Sequence, residues 1–242
     1  MKRFYTILML VSCCFAFAQN PALFEKANKL YNDGKYQEAI EVYSTIEKSN
    51  EHSTALYFNL GNCYYKLNQI AASIYNYEKA LLLGPGDEDV LINLQYAQNM
   101  VIDEVIELPK NNVSRFFENF IFGVHYRNWA VLAIVFMMLF SVLFILYYYQ
   151  QASGKKRLFF VLGIVALSIS LLCVFSAFRQ QNIINNQNPA IVFSKEVSVK
   201  AEPNLRSGEV FLLHEGTKVE VVDKLEEWRK IRLSDGKTGW LN

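Results

Sequence analysis

The sequence predicts a multi-domain chain: an all-α helical-repeat domain, a hairpin of two apolar helices, and a small all-β barrel. Three observations predict it. Residues 20–87 repeat at a period of 34. Two uncharged apolar runs of 21 residues come next, Trp129–Tyr149 and Leu158–Phe178. Beyond Ala190 the pattern changes to short alternating runs divided by turn residues. The high apolar fraction, 52%, is gathered in blocks near residues 4–18, 129–149 and 158–178, and the remainder has ordinary soluble composition. A net charge of +1 leaves no electrostatic footprint for nucleic acid.

Lys2 and Arg3 precede an apolar run from Phe4 to Ala18 that closes on Ala16-Phe17-Ala18. A basic start, a short apolar stretch and a small-x-small end make a secretory signal peptide over 1–18, cleaved after Ala18. Leu10-Val11-Ser12-Cys13 also fits the bacterial lipobox, which lipidates the cysteine. An uncleaved anchor is a third reading, and all three export the repeat segment downstream. Of the four cysteines, Cys13 and Cys14 lie in this leader, and Cys63 and Cys173 fall in different predicted helices. They are expected to be small buried hydrophobes without disulfides.

The repeat domain is expected over 20–107, with copies at 20–53 and 54–87 and a capping helix at 88–107. Five positions are identical between the copies: Phe24/Phe58, Asn28/Asn62, Tyr31/Tyr65, Ile40/Ile74 and Tyr43/Tyr77. Small residues at Ala27, Ala39, Gly61, Ser73 and Ala80 let paired helices approach closely while the aromatics fill the gaps. Asn20-Pro21 is suited to start the first helix, Gly34 to break it, and Asp87 to cap the last. Phe24, Asn28 and Tyr31 share one helix face, as do Phe58, Asn62 and Tyr65. Tyr57, Leu60, Gly61, Tyr64, Tyr77, Ala80 and Pro85 of the second copy follow the tetratricopeptide (TPR) pattern. The first copy supplies Ala27, Gly34, Tyr36, Ala39 and Tyr43 but has Lys26 where the motif prefers Leu. The chain resembles TPR proteins over 20–87. That resemblance implies that Phe24, Asn28, Tyr31, Phe58, Asn62 and Tyr65 line a concave peptide-binding groove. The aromatics read equally well as packing residues.

Residues 108–128 form a linker with a Pro109 break and a segment, Ser114–His125, that places Phe116, Phe117, Phe120, Ile121 and Val124 on one face. That segment reads as an amphipathic interfacial helix or as an extension of the next helix. The two runs, 129–149 and 158–178, each match a hydrocarbon thickness of about 30 Å. Neither contains Asp, Glu, Lys, Arg or His. That composition argues against a transporter, a proton relay or an intramembrane protease. The loop at 150–157 ends in Lys155-Lys156-Arg157, so the positive-inside rule assigns it to the cytoplasm and both flanking domains to the exported side.

After a linker at 179–189, residues 190–242 carry five predicted strands: Glu196–Lys200, Val210–Leu213, Val219–Asp223, Trp228–Leu233 and Lys237–Leu241. Glu215-Gly216 and Asp235-Gly236 supply turns between them. With Pro203, His214, Thr217, Ile231 and Gly239-Trp240, this stretch resembles a bacterial SH3 domain. Its last strand is expected to be missing or very short. The resemblance implies binding to cell-wall peptides or to protein partners. Trp228 and Trp240 read as exposed binding aromatics or as core fillers.

No catalytic constellation, phosphate loop or metal-ligand cluster is recognisable, and His52, His125 and His214 lie in three separate segments. A non-enzyme without a cofactor or metal is expected. The order of signal peptide, TPR pair, two-helix hairpin and SH3-like end resembles the BatE-type proteins of the Bacteroides aerotolerance (Bat) operon. That resemblance implies a gram-negative inner-membrane protein with both soluble domains in the periplasm. It implies association with von Willebrand A-domain membrane proteins and a MoxR-type ATPase, and a role in stress or oxygen tolerance. Two readings of function result: a scaffold that holds partner proteins, and a peptidoglycan-gripping anchor or sensor.

Overall fold

The computed structural model describes residues 21–105, 111–186 and 188–242. The expected leader at 1–18, its Cys13 alternative, the Asn20 cap and the Pro109 break lie outside the described residues. Helices α1 (Pro21–Asn32) and α2 (Tyr36–Lys48) form the first repeat. Helices α3 (Thr54–Lys66) and α4 (Ile70–Leu83) form the second, and α5 (Glu88–Gln98) stacks on it. The turn inside each repeat is the same object. Gly34 (φ 76°) and Asn68 (φ 57°) stand 34 residues apart, both left-handed. In each, the next residue donates its N–H back across the turn, Lys35 to the Leu30 carbonyl and Gln69 to the Tyr64 carbonyl, both at 2.9 Å. The Ser53 side chain caps α3 at the Leu56 N–H, and Asp87 caps α5 at the Val90 N–H with Glu88 and Asp89 in the first turn.

The period buries the residues it was expected to bury. Ala27, Ala39, Tyr43, Leu60, Ile74, Tyr77 and Ala80 form the repeat core, and Cys63 lies inside it. Gly61 lets α4 approach α3: a Cβ there would come 2.5 Å from the Tyr77 ring. The final helix is shorter than the expected 88–107. It ends at Gln98, and residues 101–105 leave it as a tail without regular secondary structure.

Helix α6 (Asn112–Phe122) is separate from α7 (Tyr126–Tyr149), because His125 is extended and accepts the Arg127 N–H on its own Nδ1. Phe116, Phe117 and Phe120 of α6 are exposed. Trp129 Nε1 donates to the Ile121 carbonyl at 3.0 Å, fastening α6 to the start of α7. Helix α8 (Ser153–Asn186) runs antiparallel to α7, and both are long and apolar enough to cross a membrane. Ser170 Oγ donates to the Ala133 carbonyl at 2.9 Å in their shared interior, beside Trp129 and Cys173. Large apolar side chains such as Ile134, Phe144 and Phe175 point outward. Helix extends past both expected ends of the second run. The basic triplet Lys155–Arg157 belongs to the first turns of α8, where Lys156 Nζ lies 5.0 Å from the Tyr147 ring centroid. The Asn/Gln-rich stretch up to Asn186 is helical too, since a helix already nucleated by the apolar run propagates cheaply through residues of middling propensity.

The C-terminal domain is a six-stranded antiparallel sheet in the order β1-β4-β5-β6-β2-β3. Its strands are β1 (Pro189–Ile191), β2 (Glu196–Lys200), β3 (Glu209–His214), β4 (Lys218–Leu225), β5 (Trp228–Arg232) and β6 (Thr238–Leu241). Val192, Val199, Leu213, Val219, Ile231 and Leu233 fill its core. The run expected at Lys237–Leu241 is β6, which pairs with β5 along four positions, Arg229↔Leu241 to Arg232↔Thr238. Gly239 is required there, since a Cβ would meet Val199 Cγ1.

Candidate functional site

The two soluble domains dock on each other, and three contact types join them. The tail after α5 places Val101 against the repeat core and Val105 against the core of the β domain. In exchange, Ile191 of β1 packs on the repeat core. Between these apolar ends, Asp103 accepts three hydrogen bonds from the β3–β4 turn. They come from the His214 backbone N–H (2.6 Å), His214 Nδ1 (2.6 Å) and Thr217 Oγ1 (2.5 Å). Burial pushes the Asp103 carboxyl up, but the donors from Thr217 and His214 outweigh it and hold the group below the usual carboxylate range. Lys218 Nζ meets Glu78 at 2.7 Å, and the rings of Tyr75 and Phe193 meet edge to face. All of this falls on α4 and the tail. The first helices of the repeats, α1, α3 and α5, keep their common face open.

On that open face the six expected groove residues form one half-buried stripe. Their roles differ. Phe24 and Phe58 lean on the rings of Tyr43 and Tyr77, so they are packing residues in part. Asn28 Oδ1 accepts the Tyr43 hydroxyl (2.5 Å) and Asn59 Nδ2 (3.0 Å). Asn62 Oδ1 accepts the Tyr77 hydroxyl (2.6 Å) and Asn93 Nδ2 (3.0 Å). The carbonyl end of each amide is therefore consumed in a ladder that ties one repeat to the next. Among the described residues no hydrogen bond engages Nδ2 of Asn28 or Asn62, which leaves a donor on the stripe. Tyr31, Asn62 and Tyr65 come together with Lys66, Asn93 and Tyr96 around a cavity of 180 Å³. Asn93 and Tyr96 are not among the expected groove residues, although Asn59 and Asn93 are themselves 34 residues apart and carry the period into α5.

Trp228 and Trp240 both stand outside the β-domain core. Lys230 pairs with Trp240 in register, and its Nζ lies 5.8 Å from that ring centroid. Residues 228 and 230 alternate with the buried Ile231, so the two tryptophans and Lys230 share the outer face of the β5–β6 ribbon. Both tryptophan side chains are half-buried there.

A stacked helix-turn-helix array with an open polar-aromatic face, joined to a small β-barrel, defines a class of ligand-holding modules; such domains are typically non-catalytic. Residues 54–87 match the tetratricopeptide repeat family model, and residues 195–242 match the bacterial SH3 domain model. The mouse tetratricopeptide repeat protein 16 is 31% identical over 68 residues, covering 28% of this chain and 9% of that protein. The human protein of the same name is 33% identical over 58 residues, covering 24% of this chain and 7% of its own length. The chain thus spans less than a tenth of the length of the curated relatives it matches.

Proposed function

We propose that this chain is a membrane-anchored adaptor that displays a TPR groove and an SH3-like domain together on one side of a bilayer to hold protein partners. One observation carries the reading: Asp103 before the hairpin bonds His214 and Thr217 after it. Two domains that touch must share a compartment, so an even number of crossings separates them. The antiparallel pair α7 and α8 supplies two. The basic residues Lys155, Lys156 and Arg157 lie at the opposite end, which supports a cytoplasmic bend and two periplasmic domains. The domain order supports a place in a Bat-type stress or aerotolerance complex, with von Willebrand A-domain membrane proteins and a MoxR-type ATPase as associates.

Within the groove, the free Nδ2 donors of Asn28 and Asn62 face an extended peptide, and Tyr31, Tyr65 and Tyr96 receive its side chains. Lys66→Ala with Tyr96→Ala changes only exposed groups, whereas Asn28→Ala or Asn62→Ala would strand a tyrosine hydroxyl. The test is crosslinking in native membranes with the captured proteins identified. The Lys66/Tyr96 double variant is expected to lose most of the specific capture with its thermal transition unchanged. Full capture by that variant would remove the groove from the proposal. A second reading, peptidoglycan gripping, is favoured by the Trp228–Lys230–Trp240 face alone. Retention of the full chain on purified sacculi, lost in Trp228→Ala with Trp240→Ala, would replace the scaffold with an anchor.

A further inference from the structure

Docking of the two domains creates a cleft that neither has alone. It encloses about 860 Å³ between α4 and the β1–β4 side of the sheet. One wall carries Tyr75 and Leu82, 42% and 45% exposed despite their size. The other carries Ile191 and Val221, with Lys224 and Arg229 at the side. The charges here do not cancel. Lys218 is paired with Glu78, and Lys79 with Glu47. Lys224 and Arg229 have no carboxylate partner among the described residues, and Asp223, whose Oδ1 takes the Lys224 N–H, is the one unpaired acid lining the cleft. An apolar floor with surplus cations fits an occupant that is both apolar and acidic.

The cleft's height limits what that occupant is. Asn188 and Pro189 line it and stand two and three residues beyond Asn186, the last described residue of α8. The apolar run of α8 ends at Phe178, and residues 179–186 continue the helix by about 12 Å at 1.5 Å per residue. Headgroups extend only about 5–7 Å beyond the hydrocarbon. A lipid headgroup therefore falls short, whereas the segment of another membrane protein that has just left the bilayer passes at this height. We propose that the cleft binds an extended, acidic-apolar juxtamembrane segment of a partner membrane protein. The height argument rests on the membrane placement proposed above; the charge argument does not.

The test selects displayed random dodecapeptides on the full-length protein in zwitterionic nanodiscs. Wild type is expected to enrich sequences that interleave Asp or Glu with Leu, Ile or Phe. Lys224→Glu with Arg229→Glu is expected to cut their recovery at least tenfold, while peptides held by the TPR groove remain. Because Arg229 also donates to the Glu226 and Trp228 carbonyls, Leu82→Glu on the opposite, helical wall serves as a second variant and is expected to cut it likewise. Absence of acidic enrichment, or enrichment indifferent to both variants, overturns the proposal. So does loss of the acidic peptides when the nanodiscs contain phosphatidylglycerol, since an anionic lipid would then be the occupant. Selection in nanodiscs is blind to which side faces the periplasm, so a wrong topology and a wrong cleft fail separately.

Discussion

Gly61, Tyr77 and Asn62 show how tightly one position in the repeat constrains the next. Ser73 Oγ donates to the Gly61 carbonyl at 2.9 Å, drawing α4 onto α3, and the Tyr77 ring fills the space where a Cβ would stand. Gly61→Ala must push the ring off its hydroxyl bond to Asn62. We expect a loss of about 1–3 kcal/mol, measured as a lower urea midpoint of the helical domain's transition. An unchanged midpoint would mean that α4 is not held where the geometry puts it. Cys63, two residues further along α3, tests the same core by chemistry. Burial pushes its thiol up to about 12, so almost no thiolate exists at neutral pH. The prediction is that Cys63 resists iodoacetamide in the native protein and reacts only in urea; native alkylation within minutes would contradict its burial. The aromatic stripe and the two asparagines are readable from spacing alone. The bonds those asparagines make are not, because a helical face names neighbours on its own helix and not on the facing ones. Tyr43 and Tyr77 supply those bonds from the paired helices, and Asn59 and Asn93, each 31 residues further on, from the next helix of the stack.

Among the elements, α6 departs most from a simple linker. Its exposed Phe116, Phe117 and Phe120 face away from the protein, and the Trp129–Ile121 bond holds it to the head of α7. We expect a helix so placed to lie flat at a membrane interface with its phenylalanines among the acyl chains. Phe116→Ser with Phe117→Ser is expected to bring a fluorophore on α6 out to water, read as loss of quenching by brominated lipid tails. Quenching equal in both forms would place α6 off the membrane. Periodicity finds this segment but leaves its relation to α7 open. The break is set by the extended backbone at His125, which no hydrophobic pattern encodes. The same limit explains the ends of α8. Hydropathy marks where residues prefer lipid, while helical backbone bonding continues beyond the apolar run and is described as far as Asn186. The strands of the β domain are more legible, since alternation and Gly turns carry register directly; β1 escapes because three residues give no period.

For the whole molecule, the decisive contact joins residues 111 and 114 positions apart, and nothing local in the sequence announces it. Asp103 reads as a solvated tail residue until the β3–β4 turn is placed on it. The clasp joins the apolar exchange, the Lys218–Glu78 pair and the Tyr75–Phe193 contact in making the groove, the outer tryptophan face and the cleft parts of one body. Its pH dependence has a definite sign. Docking holds the Asp103 carboxyl below its ordinary value, so docking is at full strength above about 3.9, the undocked pKa, and fades as pH falls through the lower, docked value. Spin labels at Glu41 and Leu205, both exposed and one on each domain, report the distance between them. A single narrow distance is expected from pH 8 down to about 5, broadening only in stronger acid. Asp103→Asn removes the charge and replaces one of the two accepting oxygens with an N–H2, which weakens the clasp, so a broader distribution is expected at every pH. If Asp103→Asn kept the narrow distance at neutral pH, the apolar exchange of Val105 and Ile191 would suffice for docking and the carboxylate would be incidental. If both forms were broad at pH 7, the domains would move independently and the argument that contact fixes a shared compartment would lose its footing.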